Sequence, residues 1–390
     1  MTTKLIKAAS RTENINPFRV MKVLQRAQQL ESAGRRIIHM EVGEPDFSTA
    51  SPIIEAAQDA MKQGHTHYST AAGLTELREA ISGFYAQRYK VSVNLERIFI
   101  TPGASGGLNL LSNLLVDRGD GILMADPTYP CNRNYIRLMD GQPQMVAVGP
   151  QNRFQPTIEQ LETHVQQNSR GLWLASPANP TGSIIGHQQL EGLTDWAQEK
   201  HLHVLMDEIY HGLHFVDDLP TLLELSDQGF VVNSFSKYFG MTGWRVGWIV
   251  VPEQFTRLVE VLSQNLFIAA STISQYAAVA AFSPATMEIL EKRRNVFRQR
   301  RDFLSVALKE IGFSLTVDTD GAFYLYAGIE KFSDDSESFC EKLLEQHGVA
   351  VTPGTDFGDY RADQFVRFAF TTDMDNLELG VERLSSALAN

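Results

Sequence analysis

Seven short apolar runs, at 98–101, 122–125, 145–148, 172–175, 203–206, 230–233 and 246–250, recur between longer amphipathic stretches. This alternation constrains the fold more than any other feature. Runs of four or five apolar residues without polar interruption belong to strands covered on both faces, as in a mostly parallel α/β sheet. The intervening stretches 104–116 and 190–200 carry apolar residues at helical spacing, and turn signals such as Arg118-Gly119-Asp120-Gly121 and Asp140-Gly141-Gln142-Pro143 separate them from the strands.

After residue 281 the texture changes. A charged amphipathic helix is expected over 288–310, strands over 313–317 and 323–327, then helix 336–347, strand 349–352, strand 365–369 and helix 374–388. The expected architecture is a large domain at 49–285 and a smaller α+β domain made of 1–48 with 286–390. The stretch 261–287 is long enough to span a bilayer and holds no charged residue. Ser263, Gln264, Asn265, Ser271, Thr272, Ser274 and Gln275 interrupt it, which predicts a helix buried in protein.

Charge and cysteine usage narrow the function. The net charge is −12 over 390 residues, with no Lys/Arg run able to track a phosphate backbone, so no nucleic-acid partner is expected. Cys131 and Cys340 form neither a disulfide framework nor a zinc-ligand spacing. Met1 to Glu13 is polar, without the apolar stretch of a secretory signal, and the expected compartment is the cytoplasm. The pairs His65/His67, His201/His203 and His211/His214 lack a third convergent ligand, so no metal is expected.

In open α/β sheets ligands lie beyond the carboxyl ends of the strands. Unusual polar residues follow the runs there. Thr101-Pro102-Gly103-Ala104-Ser105-Gly106-Gly107 opens a helix and offers backbone N–H groups to an anion. Asp126-Pro127-Thr128-Tyr129-Pro130 puts an aromatic ring between two prolines. Asn179 stands in the turn Ser176-Pro177-Ala178-Asn179-Pro180-Thr181-Gly182. Asp207 follows apolar residues directly, so its carboxylate is expected to be buried and to need a cationic partner. Lys237, in Ser234-Phe235-Ser236-Lys237-Tyr238-Phe239, has aromatic and small neighbours that desolvate an amine and lower its pKa. Singly, each has a plain alternative: a turn, a half-buried tyrosine, a solvated lysine.

Together they meet the needs of one ligand, pyridoxal 5′-phosphate (PLP): a lysine for its aldehyde, a carboxylate for its ring nitrogen, a ring to stack on it, and hydroxyls with arginine for its phosphate. Seven motifs occur in one order: Val42-Gly43-Glu44-Pro45-Asp46-Phe47, Tyr68-Ser69-Thr70-Ala71-Ala72-Gly73-Leu74 with Leu77-Arg78, Asp126 to Pro130, Asn179-Pro180-Thr181-Gly182, Asp207-Glu208-Ile209-Tyr210, Ser234 to Lys237 with Gly243-Trp244-Arg245, and Val366-Arg367-Phe368. In these the chain resembles the class I aminotransferases, the fold-type I PLP enzymes, over nearly its whole length.

The resemblance implies a PLP-dependent transaminase that exchanges an amino group between an L-amino acid and a 2-oxo acid in ping-pong fashion. It implies that Lys237 forms the internal aldimine and shuttles the proton, that Asp207 pairs with the pyridine nitrogen, and that Asn179 and Tyr210 hold the 3′-oxygen. Tyr129 would stack on the ring. Ala104, Ser105, Ser234, Ser236 and Arg245 would gather the phosphate, with Tyr68 reaching across from the other subunit of a homodimer. Arg367 with the backbone of Gly43, beside Asn179, would take the substrate carboxylate.

The sequence departs from the aspartate-handling members in offering no second cation for a side-chain carboxylate. Ser105 stands where some of them carry lysine, and 264–274 holds no arginine. The donor is therefore not expected to be restricted to aspartate. Phe18, Phe267 and Ile268 are candidate apolar groups for the pocket, and equally candidates for plain core. Three other functions compete. A PLP-dependent carbon–sulfur lyase shares the cofactor contacts, a PLP-sensing regulator would need a basic DNA-binding domain ahead of Gly43, and a nicotinamide dehydrogenase would need G-x-G-x-x-G after the first strand.

Overall fold

All seven apolar runs lie in strands of one sheet, in a computed structural model that describes residues 7–217 and 219–389. In chain order the first elements are α1 (Arg19–Ser32), β1 (Ile38–His39), α2 (Ser51–Lys62), α3 (Thr75–Arg88), β2 (Ile98–Thr101), α4 (Gly103–Leu115), β3 (Gly121–Asp126), α5 (Pro130–Leu138) and β4 (Gln142–Ala147). Then come α6 (Ile158–His164), β5 (Ser169–Ala175), α7 (His187–Glu199), β6 (His203–Asp207), β7 (Phe230–Ser234) and β8 (Gly247–Val250). The rest is α8 (Thr256–Leu266), α9 (Thr272–Ala280), α10 (Pro284–Ile311), β9 (Tyr324–Gly328), α11 (Ser336–Lys342), β10 (Val349–Ala350), β11 (Thr352–Pro353), β12 (Phe365–Ala369) and α12 (Met374–Leu388).

The main sheet has the order β2-β8-β7-β6-β5-β3-β4, and only β8 runs antiparallel to its neighbours. Side chains alternate across a strand, and here they alternate between two cores. Ile98, Ile100, Leu123, Leu172, Leu174, Val204, Met206, Val231, Trp248 and Val250 enter one. Phe99, Ile122, Met124, Trp173, Leu205, Phe230, Val232 and Ile249 enter the other. Each such side chain contributes roughly 1.5–3 kcal/mol by leaving water. That is why the runs read as continuous apolar rather than alternating.

A three-stranded sheet, β11-β12-β9, and the parallel pair β1-β10 form separately. The N-terminal α1 packs there, with Ala27, Leu30 and Ile37 against Leu344 and Ala350. Ser283 caps α10 by accepting from the Thr286 N–H at 3.3 Å, and Gly312 ends it at φ +114°.

Five expectations need correction. The stretch 261–287 is not one helix: α8 stops at Leu266, Ile268 takes φ +64°, and Ser271 and Ser283 each cap a new helix. No helix among the described residues is long and apolar enough to cross a membrane. Residues 313–317 form no strand; only Ser314 bridges, to Gly328. The expected strand 349–352 is split between two sheets, and the expected helix 336–347 ends in a π turn at Leu343–His347. The third strand starts earlier than its apolar run, at Gln142, taking in Pro143. It is an edge strand, where a missing N–H costs no ladder bond.

Candidate active site

The parallel strands β3, β5, β6 and β7 end on one edge of the main sheet, and β2 delivers Thr101 to the same edge. Because β8 runs the other way, its first residue Gly247 lies beside Thr101 and Ser234. This brings Arg245, two residues earlier, to the edge where the other strands end. A cavity of about 280 Å³ opens there, lined by Lys237, Asp207, Tyr210, Asn179, Tyr129, Ala104, Ser105, Ser234, Ser236, Arg245, Gly43 and Arg367. The fold thus gathers every expected site residue except Tyr68.

Lys237 is partly buried, and its Nζ donates to the Gly43 carbonyl at 2.7 Å, between the rings of Tyr210 and Phe323 at 5.9 and 5.6 Å. Burial lowers its pKa to about 8, helped by the positive charges of Arg367 and Arg245. Asp207 is buried, and its Oδ1 accepts from the Ile209 N–H at 3.1 Å. Burial raises its carboxyl to about 6 despite that bond and the pull of Lys237. Its expected cationic partner is not in protein contact, so the carboxylate faces the cavity with charge to spare, which suits a protonated ring nitrogen.

At the start of α4, Gly103 sits at φ +70°, and a Cβ there would lie 2.8 Å from Arg245 Nη2. Only glycine lets this guanidinium close over the helix N-terminus, where free N–H groups and the helix dipole already favour an anion. Arg245 itself takes φ 51° and is held by the Thr242 carbonyl at 3.0 Å. Ser234 Oγ donates to Ser236 Oγ at 3.0 Å and accepts from the Ser236 N–H at 3.0 Å, so both hydroxyls are oriented. These donors fit a phosphate.

At the opposite side, buried Arg367 reaches in from β12. Its Nη1 donates to Asn179 Oδ1 at 2.8 Å, and its Nη2 donates to the Glu41 carbonyl and to Thr352 Oγ1 at 3.3 Å. The guanidinium lies 4.2 Å from the Tyr324 ring centre. Asn179 spends its carbonyl on Arg367, so its amide N–H₂ is what remains for a ligand. Tyr129 meets Phe18 edge-on at 5.9 Å.

Tyr68 is 80% exposed and does not line the cavity of its own chain. Of the candidate apolar pocket residues, Phe18 lines the cavity, whereas Phe267 packs on the core and Ile268 is exposed. One histidine of each pair does other work: His65 stacks on Tyr276 at 4.5 Å, Trp173 Nε1–H donates to His203 at 3.2 Å, and His211 Nδ1 bonds the Tyr89 hydroxyl at 2.7 Å. Among the described residues no three metal-ligating side chains converge. Cys131 is outside the cavity lining, its thiol pKa raised by burial.

Sequence reasoning missed Tyr324, whose hydroxyl bonds Tyr210 at 2.9 Å inside the cavity. Its hydroxyl also occupies the space a Cβ on Gly43 would need. The available signal was Tyr324 and Tyr326 at alternate positions of a strand read as apolar. Val20, Met21 and Glu44 were missed as lining residues too, Glu44 accepting from Thr242 Oγ1 at 2.5 Å.

The model of class I and II aminotransferases matches residues 35–384, and the chain belongs to that family. It is a PLP-dependent aminotransferase of fold type I. It is 37% identical over 376 residues to the valine–pyruvate aminotransferase of Mycobacterium tuberculosis, covering 96% of this chain and 97% of that protein. A crystal structure of an aminotransferase from the same organism superposes with a TM-score of 0.95 at 36% identity, over 99% of this chain and all of that one. The aspartate aminotransferase of Thermus thermophilus with maleate gives 0.94 at 30% identity, over 98% of this chain and all of that one. These relatives are named as transaminases.

Proposed function

We propose that Lys237 carries the cofactor and the proton in transamination between L-amino acids with uncharged, apolar side chains and 2-oxo acids, within a cytoplasmic homodimer. The observation that carries this reading is the pairing, in one cavity, of an amine with its pKa near 8 and a buried carboxyl that forms no ion pair among the described residues. When bound, PLP supplies an aldehyde for amines and a cationic ring that accepts the electrons released at Cα.

The protein supplies the rest. Asp207 holds the proton on the ring nitrogen, and Asn179 and Tyr210 hold the 3′-oxygen. Tyr129 covers the ring face. Ala104, Ser105, Ser234, Ser236 and Arg245 bind the phosphate. Arg367, with the Gly43 backbone and Asn179, takes the substrate α-carboxylate and so orients the Cα–H bond toward Lys237. An amine with pKa near 8 is neutral often enough at physiological pH to remove that proton and strong enough as an acid to return it. One carboxylate site serving first the amino acid and then the oxo acid makes the kinetics ping-pong.

The donor class follows from charge. Lys237, Arg245 and Arg367 are the cations lining the cavity, and each has a role above. Phe18, Val20 and Met21 remain for the side chain, and Glu44 would repel an acidic one. The valine–pyruvate relative fits this class better than the aspartate relatives do.

Exposed Tyr68 and an exposed apolar stripe on α8, Leu258, Val261 and Leu266, support a second copy that buries the stripe and receives Tyr68 at its phosphate. The two free cysteines, Cys131 and Cys340, suit a reducing compartment. We divide the chain into a large domain, 49–285, and a small one, 1–48 with 286–390. The test is a half-reaction screen that follows the cofactor's absorbance as each amino acid is added in turn. Apolar donors should convert it at least about tenfold faster than aspartate, a gap of about 1.4 kcal/mol. Aspartate as the fastest donor would overturn the donor class, and no conversion by any amino acid would overturn the reading.

A further inference from the structure

Glu41 is fully buried, and its side chain is absorbed by nothing in the reaction. Its Oε1 meets His39 Nδ1 at 2.7 Å, while Oε2 is buried with no partner among the described residues. His39 Nε2 in turn meets Glu31 of α1 at 3.1 Å. His39 ends β1 and Glu41 follows two residues later at a bend, which brings the two side chains together. The same residue 41 offers its backbone carbonyl to two donors, Arg367 Nη2 and Thr352 Oγ1, the latter at 3.0 Å. A half-buried ion pair and the support of Arg367 are therefore carried by one residue.

We propose that His39 and Glu41 are positioning residues for Arg367: the chain Glu31–His39–Glu41 fixes the strap at 39–41 so that the Glu41 carbonyl holds the guanidinium in its carboxylate-binding pose. This rests on the reading that Arg367 takes the substrate α-carboxylate. The physical reason is that a buried carboxylate with one cationic partner cannot lose that partner cheaply. Without the imidazolium, the Glu41 side chain moves toward water, and its carbonyl moves with it.

The charges facing His39 are Glu31 from α1 and Glu41 from the segment that follows β1. Of the elements packed on β1, β10 brings the apolar Val349 and Ala350. Helix α12 sends Arg383 to the carbonyls of Arg36 and Gly348 at 2.8 and 2.9 Å. Both carboxylates favour the protonated ring, whose pKa rises to about 9, with the Glu41 bond the largest cause. The clasp is therefore closed at neutral pH and opens as pH passes about 9.

The test uses the PLP-loaded enzyme and 3-phenylpropionate, a carboxylate with no amine to react, as a competitive probe between pH 7 and 10. His39→Gln should weaken the probe and raise KM by about tenfold at pH 7.5, with kcat within about twofold. His39→Lys should restore binding to within about threefold and move the alkaline weakening to higher pH. The double variant His39→Gln with Glu41→Gln, which removes the buried charge together with its partner, should recover most of the affinity and bind independently of pH. His39→Gln binding within twofold of wild type, or kcat and KM failing together in the single and double variants alike, would overturn the proposal. Arg367→Lys is the control. If it leaves the probe's affinity unchanged, the assignment of Arg367 fails and the positioning role falls with it. If it weakens the probe while His39→Gln does not, only the positioning role fails.

Discussion

At the Lys237 end of the cavity, every group stands within a few residues of a strand end of one sheet, whereas the Arg367 end is assembled from segments as far apart as Glu41 and Arg367, 326 positions in the chain. The first end is held by backbone hydrogen bonds and two apolar cores. The second is held by side-chain bonds to a strap and by one half-buried ion pair. A site built on one sheet edge is rigid and written in short motifs. A site built across distant segments is adjustable, and single contacts can be lost from it. Variants should therefore abolish chemistry at the first end and mainly weaken binding at the second.

The largest effect is expected for Lys237→Ala, which should lower turnover by roughly 10⁴-fold or more by removing the proposed proton carrier and cofactor attachment. Turnover near wild type in single-turnover kinetics would show that the chemistry lies elsewhere. Arg367→Lys comes next. It keeps the charge but loses the planar fork, and kcat/KM should fall by about 10²-fold, or about 2.7 kcal/mol, with the cofactor's spectrum unchanged. A change in the spectrum as large as that in kcat/KM would mean that the two ends are not separable.

Gly43→Ala probes the junction, since the new methyl meets the Tyr324 hydroxyl. Displacing that buried ring should cost about 1–3 kcal/mol in denaturant unfolding. Tyr68→Phe should weaken PLP by about tenfold through one lost phosphate hydrogen bond. The same loss should follow dilution into monomers, and an unchanged affinity would remove the second subunit from the site.

The smallest effect is a pH effect at the strap. The pKa of His39 is raised in the folded protein, to about 9 from 6.5. Its stabilisation is therefore fully present below about pH 6.5 and lost as pH rises through about 9. His39 is one-third exposed, and up to about 1 kcal/mol is expected after solvent screening. The difference in thermal midpoint between wild type and His39→Gln should shrink on going from pH 7 to 10.

How legible the molecule was follows the same division. All seven strands and the ends of β12 and α12 could be read from the sequence, because continuous apolar runs and helical periodicity report burial directly. The break in 261–287 could have been read from Ser271 and Ser283-Pro284, both cap signals, but the absence of charge dominated the reading. Residues 313–317 alternate like a strand. Pairing needs a partner along the length, and Gly328 meets only Ser314. At the site, Lys237, Asp207 and Arg245 stand in contiguous motifs. Glu41 was invisible because the atom that matters is a backbone carbonyl, which every residue has. Only the fold says which carbonyl faces an arginine.

The central claim is that Lys237 holds the cofactor above Asp207. Borohydride reduction of the PLP-loaded enzyme followed by peptide mapping tests it most directly. The account predicts a pyridoxyl label on the peptide containing Lys237 and on no other. A label on a different lysine, or none on a protein that binds PLP and turns over, would contradict it.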